Sequence, residues 1–171
     1  MSGISIGRSV AVIVLGLLLL GFIDQTLERT LVLALAQAPV KDEASYLAVR
    51  NRPVVLAITV ITHGFAALLT GYVLAKMAGT REVHHAAATA GLFIIAMIGA
   101  SAAPNVMLPP VWARMVMLAI TPPALIAGAY VRGQARVIRE ERAVLEKAGT
   151  EGRRQGQGQG QGQDQKTGSE D

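Results

Sequence analysis

Two long apolar stretches, separated by a short polar turn, occupy the middle of the chain from Pro53 to Ala103. The first stretch, Pro53–Ala75, has 23 consecutive residues without a formal charge, and the second, Ala86–Ala103, has 18. An α-helix needs about 20 mostly apolar residues to cross the roughly 30 Å hydrocarbon core of a bilayer. The residues between the stretches are charged, contain Gly79 and are too few for a domain. The sequence therefore predicts two antiparallel membrane-spanning helices that touch.

The composition of the chain agrees with a membrane protein. Of its 171 residues, 51% are hydrophobic and 16% are charged, whereas soluble proteins have about 25% charged residues. Aromatic residues make up 4% of the chain, which is little for a soluble aromatic core. Cysteine is absent, which excludes a disulfide, a thiol nucleophile and a thiolate metal site.

Two further apolar stretches flank the central pair, and together they predict an all-α integral membrane four-helix bundle. The four predicted spans cover residues 6–34, 53–77, 84–103 and 111–133. Pro53 suits the first turn of a helix, and Pro122-Pro123 is expected to kink the last span. The polar connector Gln37–Arg52 has room for a short helical turn near residues 44–49.

The first apolar run, Val10–Ile23, has an alternative interpretation as a signal peptide. It has 14 residues, follows Arg8, and precedes Ala34-Leu35-Ala36, which resembles a cleavage site. Charged residues lie between the run and that site, and apolar residues resume after them. This pattern favours one continuous helix, and a cleaved signal peptide is the alternative.

The C-terminal part of the chain changes composition twice. Residues 132–147 are rich in Arg, Glu and Ala and are expected to extend the last span as a cytoplasmic helix. From Gly149 onward the chain consists of Gly-Gln repeats and an acidic end, a composition that cannot form a core. The sequence therefore predicts a transmembrane domain with its helical extension over 1–148 and a disordered tail over 149–171.

The distribution of Lys and Arg predicts the orientation of the helices, because these residues concentrate on the cytoplasmic side of membrane proteins. Four spans place both termini on one side. Seven basic residues near span ends fall on that side, namely Arg8, Lys76, Arg81, Arg132, Arg136, Arg139 and Arg142. The other side has Lys41, Arg50 and Arg52, with Arg114 just inside the last span. Both termini are therefore predicted to be cytoplasmic.

Small residues recur at four-residue spacing on both central helices. Because acyl chains are as apolar as leucine, small residues that let backbones approach favour contact between membrane helices. We expect the two stripes to face each other, although small residues are common in any membrane helix. The predicted packing residues are Ala67, Gly71, Ala75, Gly79, Gly91 and Gly99.

Three ionisable residues are candidates for a charge cluster near the end of the bundle opposite the termini. Asp24 and Glu28 are four residues apart and share one helix face. Arg114 is expected at a similar depth, so an ion pair between Asp24 or Glu28 and Arg114 would remove the cost of isolated buried charges. A binding site for a polar ligand or ion in this region is the alternative.

His63 is predicted to be the deepest ionisable residue, about 15 Å from the start of its helix at Pro53. A neutral imidazole there could hydrogen-bond to a neighbouring helix and hold the helices together. The alternative is proton or metal handling with Asp24 as partner, although one His with two carboxylates lacks the spacing of a metal site. A haem held by His63 and a distant Met is the weakest variant.

Several segments of the chain resemble a group of small bacterial four-helix inner-membrane proteins whose activity is uncharacterised. The segments are Gly71–Gly79, His85-Ala86, Pro110-Val111-Trp112 and Pro123–Ala129, within residues 53–132. The resemblance covers a Gly-Tyr-Val end to the second span, a His-Ala start to the third, a Pro-x-Trp before the fourth and a Pro-Ala-x-x-x-Gly inside it. Thr70 stands where the group has a second Gly. The resemblance implies four spans and a bacterial inner membrane, and it implies no activity.

From these observations we expect a non-enzymatic structural or accessory membrane subunit. No nucleophile–base motif, phosphate loop or dinucleotide fingerprint occurs, so no catalytic, cofactor or metal site is predicted. The expected partners are the lipid bilayer and further copies of the chain or another membrane protein. No nucleic-acid partner is expected, because the basic cluster lacks interleaved aromatic residues. The alternatives are a small oligomeric transporter or channel and, after it, a membrane-embedded enzyme.

Overall fold

The protein consists of helices. The computed structural model describes residues 3–79, 81–102 and 108–160, with side chains between residues 7 and 146 of these ranges. Its helices are α1 (Gly3–Leu35), α2 (Glu43–Arg50), α3 (Pro53–Ala78), α4 (Glu82–Ala102) and α5 (Val111–Gly160). Within the described ranges there is no strand. Four of the helices are long and apolar enough to cross a membrane, so the predicted all-α fold with four spans is confirmed.

Helix α3 is the central helix of the bundle. Pro53 occupies its first turn, and it ends at Gly79, whose φ of 70° is a conformation that glycine adopts without strain. Of its most apolar segment, 44% is buried inside the bundle, compared with 17% to 28% for the three other spans. The exposed surface of the spans includes many large apolar side chains, as expected of helices that face lipid.

The core has three apolar clusters along the length of the bundle. The middle cluster contains Leu20, Ala66, Ala67, Ala90 and Leu125. The cluster beside α2 contains Val32, Val49 and Val55. The cluster at the opposite end contains Ala75, Ala86 and Ala129. These clusters take residues from α1, α3, α4 and α5, so the four long helices share one core.

The backbones of α3 and α5 are in close contact at two glycines. A Cβ added at Gly71 would overlap the carbonyl oxygen of Leu125, and a Cβ added at Gly128 would overlap that of Leu68. His63 bonds to Thr121, and farther along both helices Ala75 shares a cluster with Ala129, so the contacting residue numbers increase together and α3 and α5 are parallel. Backbone contact of this kind is what small residues permit in membrane helices.

The predicted seam between the small-residue stripes of α3 and α4 is wrong on the α4 side, whereas Ala67 and Ala75 of α3 do share core clusters with Ala90 and Ala86 of α4. On the α3 side Gly71 packs against α5, and Ala67 and Ala75 are buried. On the α4 side a Cβ at Gly91 or Gly99 would meet no atom within 4 Å. The reason is the rotation of α4 about its own axis. Only its first half is buried, and the buried residues lie on a different face from Gly91 and Gly99. Gly79 is exposed and serves as the end of α3 and not as a packing residue.

That buried face of α4 contains Ala86, Thr89 and Ala90 together with Glu82. At these positions α4 contacts α1 and α3, and Ala86 also lies beside Ala129 of α5. The positions of the glycines therefore did not predict the contact surface of α4, because alanine and threonine residues form that surface.

The connector between the first two spans forms the predicted short helix, α2. Asp42 caps its N-terminus by accepting a hydrogen bond from the Ser45 backbone N–H at 2.8 Å, while Ser45 Oγ accepts from the Asp42 N–H at 3.2 Å. The bonds from Ser45 to its charged carboxylate hold the pKa of Asp42 below its ordinary value. This capping box fixes where the connector turns into helix.

The chain divides into two compact units, Met1–Gly133 and Gln134–Asp171. In the second unit, α5 continues as a helix to Gly160, whereas the sequence predicted disorder from residue 149. Once a helix has formed, each added residue contributes one more backbone hydrogen bond, and glutamine tolerates helix well. The rest of the predicted tail, 161–171, lies outside the described residues.

Candidate functional site

His63 lies at the centre of a chain of hydrogen bonds that joins three spans. Its Nδ1 lies 2.9 Å from Asp24 Oδ1 of α1, and its Nε2 lies 2.7 Å from Thr121 Oγ1 of α5. The imidazole is 2% exposed, and its ring centroid lies 5.7 Å from that of Phe93 in α4. The prediction that His63 hydrogen-bonds to a neighbouring helix is confirmed, and the bonds reach two helices.

The hydrogen bonds of Thr121 indicate which ring nitrogen of His63 carries a hydrogen. The Thr121 hydroxyl donates to the Met117 carbonyl oxygen at 2.6 Å, so the Thr121 oxygen accepts from His63 Nε2–H. A neutral ring therefore has its hydrogen on Nε2 and offers Nδ1 as an acceptor. The contact between Nδ1 and Asp24 then holds one proton, either on the carboxyl or on the ring. Each ring nitrogen of the buried imidazole thus has a hydrogen-bond partner.

The order Asp–His–Thr matches the connectivity of a nucleophilic triad, but the geometry does not match the chemistry. A nucleophile must give its proton to the imidazole and reach a substrate. Thr121 is 0% exposed, and its hydroxyl gives its hydrogen to a backbone carbonyl. The arrangement is therefore suited to holding helices together.

The depth of His63 differs from the expectation, because His63 lies at the level of Asp24. Arg8 Nη2 of α1 donates to the Met77 carbonyl of α3 at 3.2 Å. From that contact, Asp24 is 16 residues along α1 and His63 is 14 residues back along α3, which corresponds to rises of about 24 Å and 21 Å. Since α3 is longer than the bilayer core is thick, counting from Pro53 alone placed His63 too close to the midplane.

A second charged cluster lies at the end of the bundle beside α2. Arg50 Nε is 2.8 Å from Glu28 Oε1, and both side chains are 9% exposed. Arg50 Nη2 donates to Glu28 Oε2 at 3.3 Å, and the Tyr46 hydroxyl donates to Oε1 at 3.1 Å. Burial raises the pKa of Tyr46, and the negative charge of Glu28 raises it further. This cluster joins α1 to α2.

The predicted ion pair with Arg114 is wrong. Asp24 bonds to His63 and Glu28 to Arg50, whereas Arg114 Nη1 donates to Ser101 Oγ of α4 at 3.0 Å. Asp24 and Glu28 do share one helix face, as predicted. That face points toward α3 and α2, and Arg114 contacts α4.

Three partners of the candidate residues were missed from the sequence. Thr121 is a polar residue inside an apolar span directly before Pro122, and that signal could have identified it. Tyr46 and Arg50 are three and seven residues after Glu43, on the amphipathic connector, and carried no comparable signal. Their partnership with Glu28 depends on how the connector folds back.

Thr70 is a buried polar residue of α3, the helix that also contains His63. Its side chain is 0% exposed, and no hydrogen-bond partner for its hydroxyl lies in the part of the chain that the structure describes. An unpaired buried hydroxyl is costly. Within the described side chains, no three His, Asp or Glu residues converge as a metal-binding group.

Comparisons with known proteins add no relative. No protein-family model matches the chain, and neither the curated proteins nor the solved structures contain a match. The four apolar helices define the class as a multi-pass helical membrane protein. The resemblance to the group of small bacterial four-helix proteins stays a prediction.

Proposed function

We propose that this chain is a non-enzymatic structural or accessory subunit of a bacterial inner membrane, with both termini in the cytoplasm. One observation carries the proposal. The polar side chains between the spans, Asp24, His63 and Thr121, form hydrogen bonds to one another from three different helices. Polar groups used in this way stabilise a bundle, whereas transport or catalysis requires them to face water or substrate.

The charge distribution supports the proposed orientation. Arg8 and the end of α3 lie together, so basic residues from two span ends meet at one end of the bundle. Lys76 and Arg81 follow directly in the chain on either side of Gly79. Basic residues near span ends favour the cytoplasmic side.

A small oligomeric transporter or channel is the second candidate. The observation that favours it is the Asp24 side chain, which is 25% exposed while its partner His63 is buried. A proton shared between the two can exchange with the outside of the bundle through the partly exposed Asp24 carboxyl. The bundle would need further copies to enclose a polar pathway along this surface.

Reconstitution distinguishes the two functions. Full-length protein is incorporated into liposomes containing a pH-sensitive dye, and proton flux is measured under an applied gradient. We expect flux equal to that of protein-free liposomes. Flux that is present in the wild type and lost in Asp24→Asn, with the neighbouring exposed Leu27→Met as the control, would establish the transporter instead.

The accessory role has its own test. Tagged protein is purified from native membranes in a mild detergent, with and without prior cross-linking. We expect a defined membrane partner or a homo-oligomer, recovered equally with the double variant Asp24→Leu/His63→Leu, since the polar chain would act inside the bundle. A monomer with no partner in both preparations would contradict the proposal.

A further inference from the structure

A polar cavity of about 520 Å³ lies between the C-terminal part of α1 and α2. Its volume is in the range of about 300–1,000 Å³ that small-molecule sites occupy. Charged side chains surround it, including Arg29, Lys41 and Glu43. The buried pair of Glu28 and Arg50 forms part of its wall.

Glu28 is neutralised by Arg50, and the Asp42 carboxylate accepts from the backbone of α2. Among the described residues, the structure pairs neither the Arg29 guanidinium nor the Lys41 ammonium with a carboxylate. The lining as a whole has three cations and three carboxylates and no net formal charge. Because Arg29 and Lys41 have no carboxylate partner in the described part of the chain, they can bind an anion, and the Glu43 carboxylate can accept a hydrogen bond from a hydroxyl group.

A second cavity, of about 400 Å³, continues the first along α1 toward the bilayer. Both cavities share Gln25, Arg29 and Leu33, and the second extends to Phe22, which is 70% exposed. The charged cavity thus adjoins a groove on the surface of α1 that contains the apolar side chains of Phe22 and Leu33 together with Thr26 and Thr30. The combination fits a molecule with an anionic head and an acyl chain.

The depth of these residues agrees with such a molecule. Arg29 is 21 residues beyond Arg8 on one continuous helix, a rise of about 31 Å. This equals the roughly 30 Å thickness of the hydrocarbon core, so Arg29 reaches one headgroup layer when Arg8 lies in the other. Phe22, seven residues earlier, then lies at the depth of the acyl chains.

We propose that the cavity beside α2 binds an anionic phospholipid, with the phosphate between Arg29 and Lys41 and an acyl chain in the groove over Phe22. Lys and Arg at a membrane surface attract anionic headgroups. The site goes beyond the proposed accessory role, since a subunit of any function could have it. Its failure would leave that role unaffected.

The test uses purified full-length protein in a neutral maltoside detergent. Phosphatidylglycerol with two short acyl chains is titrated in, and binding is measured by native mass spectrometry. Two variants remove a cation from the cavity, Arg29→Gln and the double variant Arg29→Gln/Lys41→Gln. The matched control is Arg52→Gln, which removes an exposed cation near α2 that does not line the cavity.

We expect binding to weaken about 5-fold in the single variant and about 30-fold in the double variant, with Arg52→Gln within about twofold of the wild type. Equal binding to the wild type and the double variant would overturn the proposal. So would equal affinity for phosphatidylcholine of the same chain length, because the charge argument would then fail. Glycerol phosphate binding as tightly as the lipid would identify a free-phosphate site instead. Arg29 and Lys41 are exposed, so a thermal unfolding scan should show all variants folded.

Discussion

Gly71 of α3 lies directly against the main-chain carbonyl of Leu125 in α5, with no room for a Cβ between them. The obstacle is backbone and cannot rotate away. We expect Gly71→Ala to destabilise the bundle by about 1–3 kcal/mol, the usual cost of overpacking. Unfolding by SDS in mixed micelles, followed by circular dichroism, measures the difference.

The control for this substitution is Gly91→Ala in α4. A Cβ there meets no atom within 4 Å, so we expect stability within about 0.5 kcal/mol of the wild type. Equal destabilisation by both substitutions would show that the contact surface of α4 had been placed incorrectly.

Two buried threonines with equal exposure should respond in opposite ways to replacement by valine. Both Thr70 and Thr121 are 0% exposed. Thr121→Val leaves the Nε2–H of His63 without an acceptor, which costs about 1–3 kcal/mol. Thr70→Val removes a hydroxyl that has no partner among the described residues, so its effect should be neutral or stabilising, by up to about 1 kcal/mol.

The same SDS titration compares the two variants. Because the substitution is identical in shape, packing losses largely cancel in the difference. A Thr70→Val variant that is as unstable as Thr121→Val would mean that the Thr70 hydroxyl has a bonding role.

Removal of only one partner of the Glu28–Arg50 ion pair should strongly destabilise the protein. Arg50→Met leaves the Glu28 carboxylate buried without its cation, and losses for one-sided removal of buried pairs are about 3–5 kcal/mol. The control Arg52→Met changes an exposed residue two positions away and should stay within about 0.5 kcal/mol. The double variant Glu28→Gln/Arg50→Met should be more stable than Arg50→Met alone, and the opposite order would contradict the pairing.

Tyr46 should couple the stability of the protein to alkaline pH. Burial and the charge of Glu28 raise its pKa above the ordinary value of 10.0. A group whose pKa is raised by folding contributes stability that is full below the unfolded pKa and is lost as pH rises through the folded one. The difference between phenolate absorbance titrations of the wild type and Tyr46→Phe should give a midpoint above 10.0 for this residue.

Two further measurements check the cause of this shift. Glu28→Gln should lower the Tyr46 midpoint, because it removes the negative charge that disfavours the phenolate. The wild type should lose more stability than Tyr46→Phe as the pH rises past 10.0. An identical alkaline loss in both proteins would exclude Tyr46 as its source.

The starts of the four spans were predictable to within a few residues. Pro53 begins α3 as expected, and the predicted end at residue 77 differs by one from Ala78. The third span begins at Glu82 where residue 84 was predicted. These boundaries are local properties, since apolar length, proline and glycine act on the chain around them.

The partners of the polar residues were only partly predictable. His63 was recognised as a bonding residue, because a polar side chain in an apolar span must find a partner. Asp24 and Glu28 were assigned to Arg114, but they bond to His63 and Arg50. The prediction paired them with Arg114 only because the three residues were expected at a similar depth. The rotation of α1 about its axis determines which helix its carboxylates face.

The sequence by itself determined that this is a helical membrane protein with four spans, because the cost of placing backbone and charge in lipid depends on each segment separately. Only the tertiary structure decided that α3 packs its glycine against α5 and that one imidazole joins three helices. Those contacts depend on the rotation and register of whole helices relative to one another. The residue pattern of a single helix determines neither this rotation nor this register.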